Sequence, residues 1–119
     1  MLSGGHVVIY SKDAEADRAF LNTVLGLPDI DVGEGWLVMG LPECEIAVHP
    51  ASQNAGHEFF FLVDDINAFV AEMHNRKTET DEIVDEGWGL LTRITLPGGS
   101  MIGVYQPLYI RPPRFESGS

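Results

Sequence analysis

The sequence is poor in cysteine and in positive charge. Cys44 is the only cysteine among 119 residues, so the chain cannot form an internal disulfide, which fits a reducing compartment such as the cytoplasm. Seven Lys and Arg stand against 18 Asp and Glu, giving a net charge of −11, and no Lys or Arg occurs between Arg18 and Arg76. Phosphate binding requires basic patches, so this composition argues against a nucleic-acid partner. It leaves two alternatives, a solvated acidic surface or a groove that attracts cations.

Long apolar runs are also absent. No stretch approaches the roughly 20 residues that a membrane-spanning helix needs. The N-terminus lacks the basic region followed by an apolar region that marks a signal peptide. The length fits one domain over residues 1–119. We therefore expect a single cytoplasmic domain without a membrane segment.

An internal repeat is present, with a period of about fifty residues. The stretch VGEGW, ending at Trp36, recurs as VDEGW, ending at Trp88. A Gly-His pair opens an earlier stretch in each copy, and a Leu-Pro pair follows each tryptophan. The repeat predicts two like modules, at about residues 3–50 and 55–107, followed by a loosely held Pro- and Ser-rich tail over 108–119.

Hydrophobic patterning predicts the same β-α-β-β-β order in both modules. Asp13 in the first module and Asp64 or Asp65 in the second are suitable N-caps for the two helices. The Pro97-Gly98-Gly99 stretch predicts a hairpin turn between the last two strands. The predicted strands of the first module are 6–11, 29–32, 36–41 and 44–49, and those of the second module are 58–63, 81–84, 89–96 and 100–106.

This pair of βαβββ modules, with a histidine leading the first strand, an aspartate capping the first helix and a late Pro-x-Gly hairpin, resembles the vicinal oxygen chelate superfamily. That superfamily includes glyoxalase I, extradiol dioxygenases, fosfomycin-resistance enzymes and bleomycin-binding proteins. The resemblance covers roughly residues 3–107. It implies an α+β fold in which paired βαβββ modules form an open, curled mixed sheet around a cavity, and it implies a homodimer for so short a chain.

The resemblance also implies where a metal would bind, because metalloenzymes of the superfamily take ligands from the first and last strand of each module. His6 stands at the first of these positions. In the second module the repeat selects His57 and the spacing to the helix-capping acid selects Glu58. We favour Glu58: strand alternation then places it on the cavity face with Phe60 and Leu62, while Phe59, Phe61 and Val63 pack against the helix. A carboxylate on the helix-facing side would be costly to bury.

The last strands complete the set less well. Glu45 or His49 supplies the ligand of the first module, and Gly103 stands where relatives usually carry Glu. Glycine has no ligand atom, so we favour no metal cofactor. The alternative is a divalent ion (Zn, Ni, Mn or Fe) on His6 and Glu58 with Glu45 or His49.

The two tryptophans bear on ligand binding. The stretch GWGLLTRITLPGGS resembles the segment of bleomycin-binding proteins in which a tryptophan lines a drug groove. Gly89 follows Trp88 and is expected to open space for a ligand beside the indole, whereas Leu37 fills that space beside Trp36. Arg93 would anchor an anionic group if it faces the cavity, or pair with an acid if it does not.

Two functions are therefore expected. The first is metal-independent binding of a cationic or aromatic small molecule, as in drug resistance. The second is a divalent-metal lyase, isomerase or dioxygenase acting on a substrate with vicinal oxygens. The residues expected to line the cavity are His6, Tyr10, Trp36, Glu58, Phe60, Trp88, Met101 and Tyr105.

Overall fold

A computed structural model of the protein describes residues 6–34, 37–45, 47, 50, 52–54 and 56–113. Each of the two helices in these ranges is followed by three strands, and the predicted α+β class is confirmed. Neither of the helices in these ranges has the length and apolar composition needed to cross a membrane. The elements are α1 (Ala14–Thr23), β1 (Asp29–Asp31), β2 (Leu37–Met39), β3 (Phe60–Leu62), α2 (Ile66–Asn75), β4 (Val84–Asp85), β5 (Gly89–Thr95) and β6 (Met101–Pro107).

The second module has the predicted βαβββ order. Its strands form one sheet in the order β3-β6-β5-β4, in which β3 and β6 are parallel and the other neighbours are antiparallel. The turn at residues 97–99 joins β5 and β6 as a hairpin, as the sequence predicts. The strand predicted over 81–84 is displaced: β4 begins at Val84 instead of Asp81.

Both helices begin at the predicted caps. The Asp13 carboxylate accepts a hydrogen bond from the Ala16 N–H, and the Asp65 carboxylate accepts hydrogen bonds from two N–H groups of α2. These contacts satisfy donors that the first turn of a helix leaves free. Gln106 at the end of β6 also accepts from the Ile66 N–H, at 3.0 Å, so the sheet itself holds the start of α2.

The core lies between the four-stranded sheet and the helices. Alternate residues of β5 and β6 point toward α2. Among them, Ile94 of β5 and Val104 of β6 are fully buried members of the core. Helix α1 of the first module packs against the same core through Phe20, Leu21 and Val24. The two modules therefore share one hydrophobic core, and the opposite face of the sheet is left for other contacts.

The first module is less complete in the described residues. The strands predicted over 29–32 and 36–41 are present as β1 and β2, and they pair antiparallel. The strand predicted over His6–Ser11 is not formed in the described part of the chain: residues 6–11 pair with no strand there, and Val8 is 56% exposed. A strand exists only when its backbone groups pair with a neighbour. Residues 44–49, the last predicted strand of the first module, lie partly outside the described residues.

Candidate functional site

The register of the sheet places aromatic rings on the face opposite the helices. Phe60 of β3 is paired with Gly103 of β6, and Tyr105 of β6 is paired with Leu91 of β5. These residues alternate with the core residues, so their side chains project away from the helices. We call this surface the aromatic face, defined by Phe60, Trp88 and Tyr105.

The position of the Phe60 ring requires a residue without a side chain at position 103. A Cβ built on Gly103 would lie only 2.6 Å from Phe60 Cε1, so any side chain at this position would collide with the ring. The Phe60 ring instead covers the glycine and stacks on Tyr105, with ring centroids 5.5 Å apart and an interplanar angle of 8°. The position at which relatives usually carry a glutamate is thus filled by an aromatic ring from the neighbouring strand.

Trp88 completes the aromatic face. Its indole packs edge-on against Tyr105 at 4.8 Å and against Phe60 at 6.2 Å between ring centroids. The residue remains 44% exposed, so part of the indole is open to a ligand. The space beside Gly89 is not open: a Cβ there would lie 3.4 Å from the Tyr105 ring. The interpretation of Gly89 as an opening for ligand is therefore wrong; the glycine admits Tyr105.

A chain of short hydrogen bonds leads from the aromatic face to the first module. The hydroxyl oxygens of Tyr105 and Tyr109 are 2.6 Å apart, and the Tyr109 hydroxyl donates to Glu45 Oε2 at 2.6 Å. The other Glu45 oxygen accepts from Arg111 Nε at 2.6 Å in an ion pair. Hydrogen bonds to ionised groups are short and strong, so Glu45 of the first module is tied to residues 105–111 of the chain.

The hydrogen bonds between Glu45, Tyr109 and Arg111 shift the pKa of Glu45 and of Tyr109. The hydrogen bond from Tyr109, helped by Arg111, holds the pKa of Glu45 below its usual 4.5, against the opposing effect of burial. Burial, and then the hydrogen bond with Glu45, raise the pKa of Tyr109 well above its usual range. Glu45 is consequently ionised and Tyr109 neutral at physiological pH.

Tyr109 and Arg111 were missed by sequence reasoning, which assigned residues 108–119 to a loosely held tail. Residues 108–113 are instead anchored, because both side chains bind Glu45 and the Leu108 N–H donates to the Trp88 carbonyl. Residues 114–119 lie outside the described residues. The Pro-rich composition correctly indicated a segment without helix or strand, but it carries no signal for side-chain partners more than sixty residues away.

The remaining predicted ligand residues are not all brought to this face. Met101 shares it and is 52% exposed. Tyr10 is 89% exposed, and His6 and Glu58 are exposed outside any strand. Trp36 and His49 lie outside the described residues, so their predicted roles stay predictions.

Each copy of the repeated pentapeptide lies at a turn held by an aspartate and a glycine two residues later, although the two turns are shifted by two residues within the repeat. Asp31 accepts a hydrogen bond from the Gly33 N–H, and Asp85 accepts one from the Gly87 N–H, each at 2.8 Å. Both glycines have positive φ, a conformation that favours glycine. These aspartates therefore shape the turns, and each has one carboxylate oxygen committed to its own backbone.

The described residues do not fit the divalent metal that the superfamily implies. Glu45 is bound by Tyr109 and Arg111, and Gly103 is covered by Phe60. In the described ranges, no group of three or more His, Cys, Asp or Glu side chains is close enough to hold an ion. No step of chemistry is therefore derived through a metal.

Comparison with known proteins identifies the fold. No protein-family model and no curated protein matches the sequence. Among solved structures, an antibiotic binding protein from a Streptomyces species is 20% identical, with a TM-score of 0.63 over 90% of this chain and 99% of that one. A lactoylglutathione lyase from Agrobacterium tumefaciens is 14% identical, with a TM-score of 0.65 over 87% and 92%. A glyoxalase family protein from Bacillus anthracis is 18% identical, with a TM-score of 0.62 over 90% and 97%.

These similarities establish the class of fold. The chain has the fold of the glyoxalase and bleomycin resistance proteins, an α+β arrangement with an open, curled sheet, so the fold that the resemblance implies is confirmed. Because this fold hosts unrelated activities, function must be argued from the aromatic face and its hydrogen-bond chain.

Proposed function

We propose that the protein binds a small molecule carrying an aromatic group on the face formed by Phe60, Trp88 and Tyr105, without a metal ion. The observation that carries this proposal is the position of Phe60 over Gly103. In place of a metal-binding carboxylate the sheet presents a ring already stacked on Tyr105. A prepacked group of rings with a half-exposed indole is suited to stacking and cation–π contacts.

Two further findings support a drug-binding role. One structural neighbour is described as an antibiotic binding protein, and another as a glyoxalase/bleomycin resistance protein. The net charge of −11 favours the approach of cationic ligands over long range. A ligand that is aromatic, cationic or both, as the sequence predicts, is consistent with these features.

The test is titration calorimetry with a panel of cationic aromatic compounds, bleomycin included. Replacing Trp88 by Phe should weaken binding by about 1–2 kcal/mol, the size of a stacking or cation–π contact. Ile110→Ala, a change at a fully solvated tail residue, serves as the control and should bind normally. Failure of every compound to bind wild-type protein would contradict the proposal.

The alternative, a metal-dependent lyase, isomerase or dioxygenase, has support from the fold that the chain shares with lactoylglutathione lyase. A metal-dependent enzyme would require metal ligands in addition to the His, Cys, Asp and Glu side chains of the described residues. Elemental analysis of protein purified without chelator separates the two proposals: stoichiometric zinc, nickel, manganese or iron would favour the enzyme.

The proposal includes a homodimer, for which the exposed apolar run from Val7 to Tyr10 is the main support. Strand β3 also pairs on one side only within the described residues, leaving an edge available. Exposed edges and apolar runs are normally covered in folded proteins.

A further inference from the structure

The hydrogen-bond chain from Glu45 has a fixed direction. An ionised carboxylate can only accept, so the proton of the 2.6 Å bond between Tyr109 and Glu45 belongs to Tyr109. Tyr109 has one hydroxyl proton, which this bond uses. The 2.6 Å contact between the two tyrosine hydroxyls must therefore be a bond in which Tyr105 donates and Tyr109 accepts.

This direction leaves the Tyr105 oxygen as an acceptor only. Its proton is committed to Tyr109, and its remaining lone pair is available to another group. Hydrogen bonds arranged in series polarise one another, so the charge of Glu45 strengthens Tyr105 as an acceptor. A ligand group that meets this oxygen must bring a hydrogen-bond donor, and a protonated amine is the strongest such donor.

A cation lies elsewhere on the same face. Arg93 is paired with Gly103, next to Leu91 in the alternation of β5, so its side chain projects from the aromatic face. It is exposed, and no ion pair of the described ranges involves its guanidinium. Tyr105 is its diagonal neighbour on β6, about 7–8 Å away between backbones.

The aromatic face thus has two polar ends. Phe60 lies over Gly103, the strand partner of Arg93, and stacks on Tyr105. A flat ring held against Phe60 would therefore lie between these two polar residues. Arginine binds carboxylates and other planar anions through paired N–H groups.

We propose that this site selects planar amphoteric ligands, with a donor such as a protonated amine directed at Tyr105 and an anionic group directed at Arg93. Glu45 and Tyr109 act as positioning residues that fix Tyr105 as an acceptor. The inference rests on the proposed binding function and names the class of ligand.

Three naphthalene probes test it by calorimetry: naphthylmethylamine, naphthoate and a naphthalene carrying both an aminomethyl and a carboxylate group. The Tyr109→Phe variant frees the Tyr105 hydroxyl to rotate and donate, so it should weaken both amine probes about tenfold and leave naphthoate unchanged. Arg93→Gln should weaken both carboxylate probes about tenfold and leave naphthylmethylamine unchanged. Each variant is the control for the other.

Two more variants complete the design. Arg76→Gln removes a positive charge at an exposed ion pair with Glu72, away from this face, and should change no probe. Glu45→Gln, whose amide can donate, should reproduce the loss of amine binding if Tyr109→Phe does not fold. Circular dichroism checks the fold of each.

The possible outcomes separate the two proposals. The amphoteric selectivity would be overturned if Tyr109→Phe and Arg93→Gln each weakened the binding of all three probes equally. It would also be overturned if neither variant weakened the binding of any probe. If Trp88→Phe still weakened the probes in that case, binding on the aromatic face would stand. Absence of binding of every probe to wild-type protein would overturn both.

Discussion

The carboxylate of Asp17 in α1 accepts a hydrogen bond of 2.7 Å from the backbone N–H of Gly98, in the turn between β5 and β6. The two residues belong to different modules, and Asp17 is 4% exposed. A Cβ built on Gly98 would lie 2.6 Å from Ser11 Oγ and 2.9 Å from Asp17 Oδ2, so the contact depends on a glycine in the turn. A buried hydrogen bond between the modules thus adds to their shared core.

Asp17→Ala should lower the free energy of unfolding by roughly 1–3 kcal/mol, because it leaves the Gly98 N–H without a partner. Urea denaturation measures the change. Glu15→Ala removes a charge of the same sign from the first turn of α1, at an exposed position, and controls for the helix terminus. Equal stability of the two variants would show that the contact between the modules contributes nothing measurable.

The packing of Phe60 over Gly103 gives a second prediction. Gly103→Ala should destabilise the protein by roughly 1–3 kcal/mol, the usual cost of overpacking. Phe60→Ala removes the colliding ring, so in the Phe60→Ala variant the further change Gly103→Ala should lower the stability by less. A double-mutant cycle measured by denaturation should give a coupling of at least about 0.5 kcal/mol.

An additive cycle would mean that the two side chains do not compete for one space. Gly56→Ala is the matched control, because no atom lies within 4 Å of the position that its Cβ would occupy.

We also expect Gly103→Glu not to create a metal site, because the carboxylate would have to displace Phe60.

Local features were predictable from the sequence. The caps Asp13 and Asp65 follow from residue type and position, and the hairpin of β5 and β6 follows from the turn residues between them. Strand alternation also placed Phe60 and Tyr105 on one face, and the structure brings both together with Trp88.

Long-range side-chain contacts were not predictable. Glu45 was considered as a metal ligand, yet its partners are Tyr109 and Arg111, which lie in a segment without periodicity. Gly89 was interpreted as open space, although a neighbouring strand fills that space with Tyr105. In both cases the deciding information is which residues the fold brings opposite one another, and a single sequence does not contain it.

The ionisation of Glu45 predicts a pH dependence of stability. Its pKa is lower in the folded protein than the usual 4.5, so its contribution is complete above about pH 4.5 and is lost as pH falls through the folded value. The groups facing it are Tyr109, Arg111 and, through Tyr109, Tyr105. The stability difference between wild type and Glu45→Gln should therefore shrink on acidification below pH 4.5.

Denaturation at a series of pH values between neutrality and mild acid measures this difference. Glu82→Gln, the same change at an exposed carboxylate, is the control for the general effect of removing one negative charge. A difference that stays constant through the acid range, or that matches the control, would show that the bonds from Tyr109 and Arg111 do not stabilise the ionised form.

The last prediction concerns the apolar run that the single chain leaves uncovered. Val8 is 56% exposed and Tyr10 is 89% exposed, and residues 6–11 have strand-forming composition but pair with no strand among the described residues. A second copy of the chain would cover them, so light scattering at micromolar concentration should give twice the mass of the 13.1 kDa chain. Val8→Lys should shift the protein toward monomer, because it places a charge in the covered run. Glu15→Gln, which changes the net charge by the same amount in α1, should remain dimeric. A wild-type protein that stays monomeric at high concentration, or a Val8→Lys variant that dimerises as well as wild type, would exclude this run as the dimer contact.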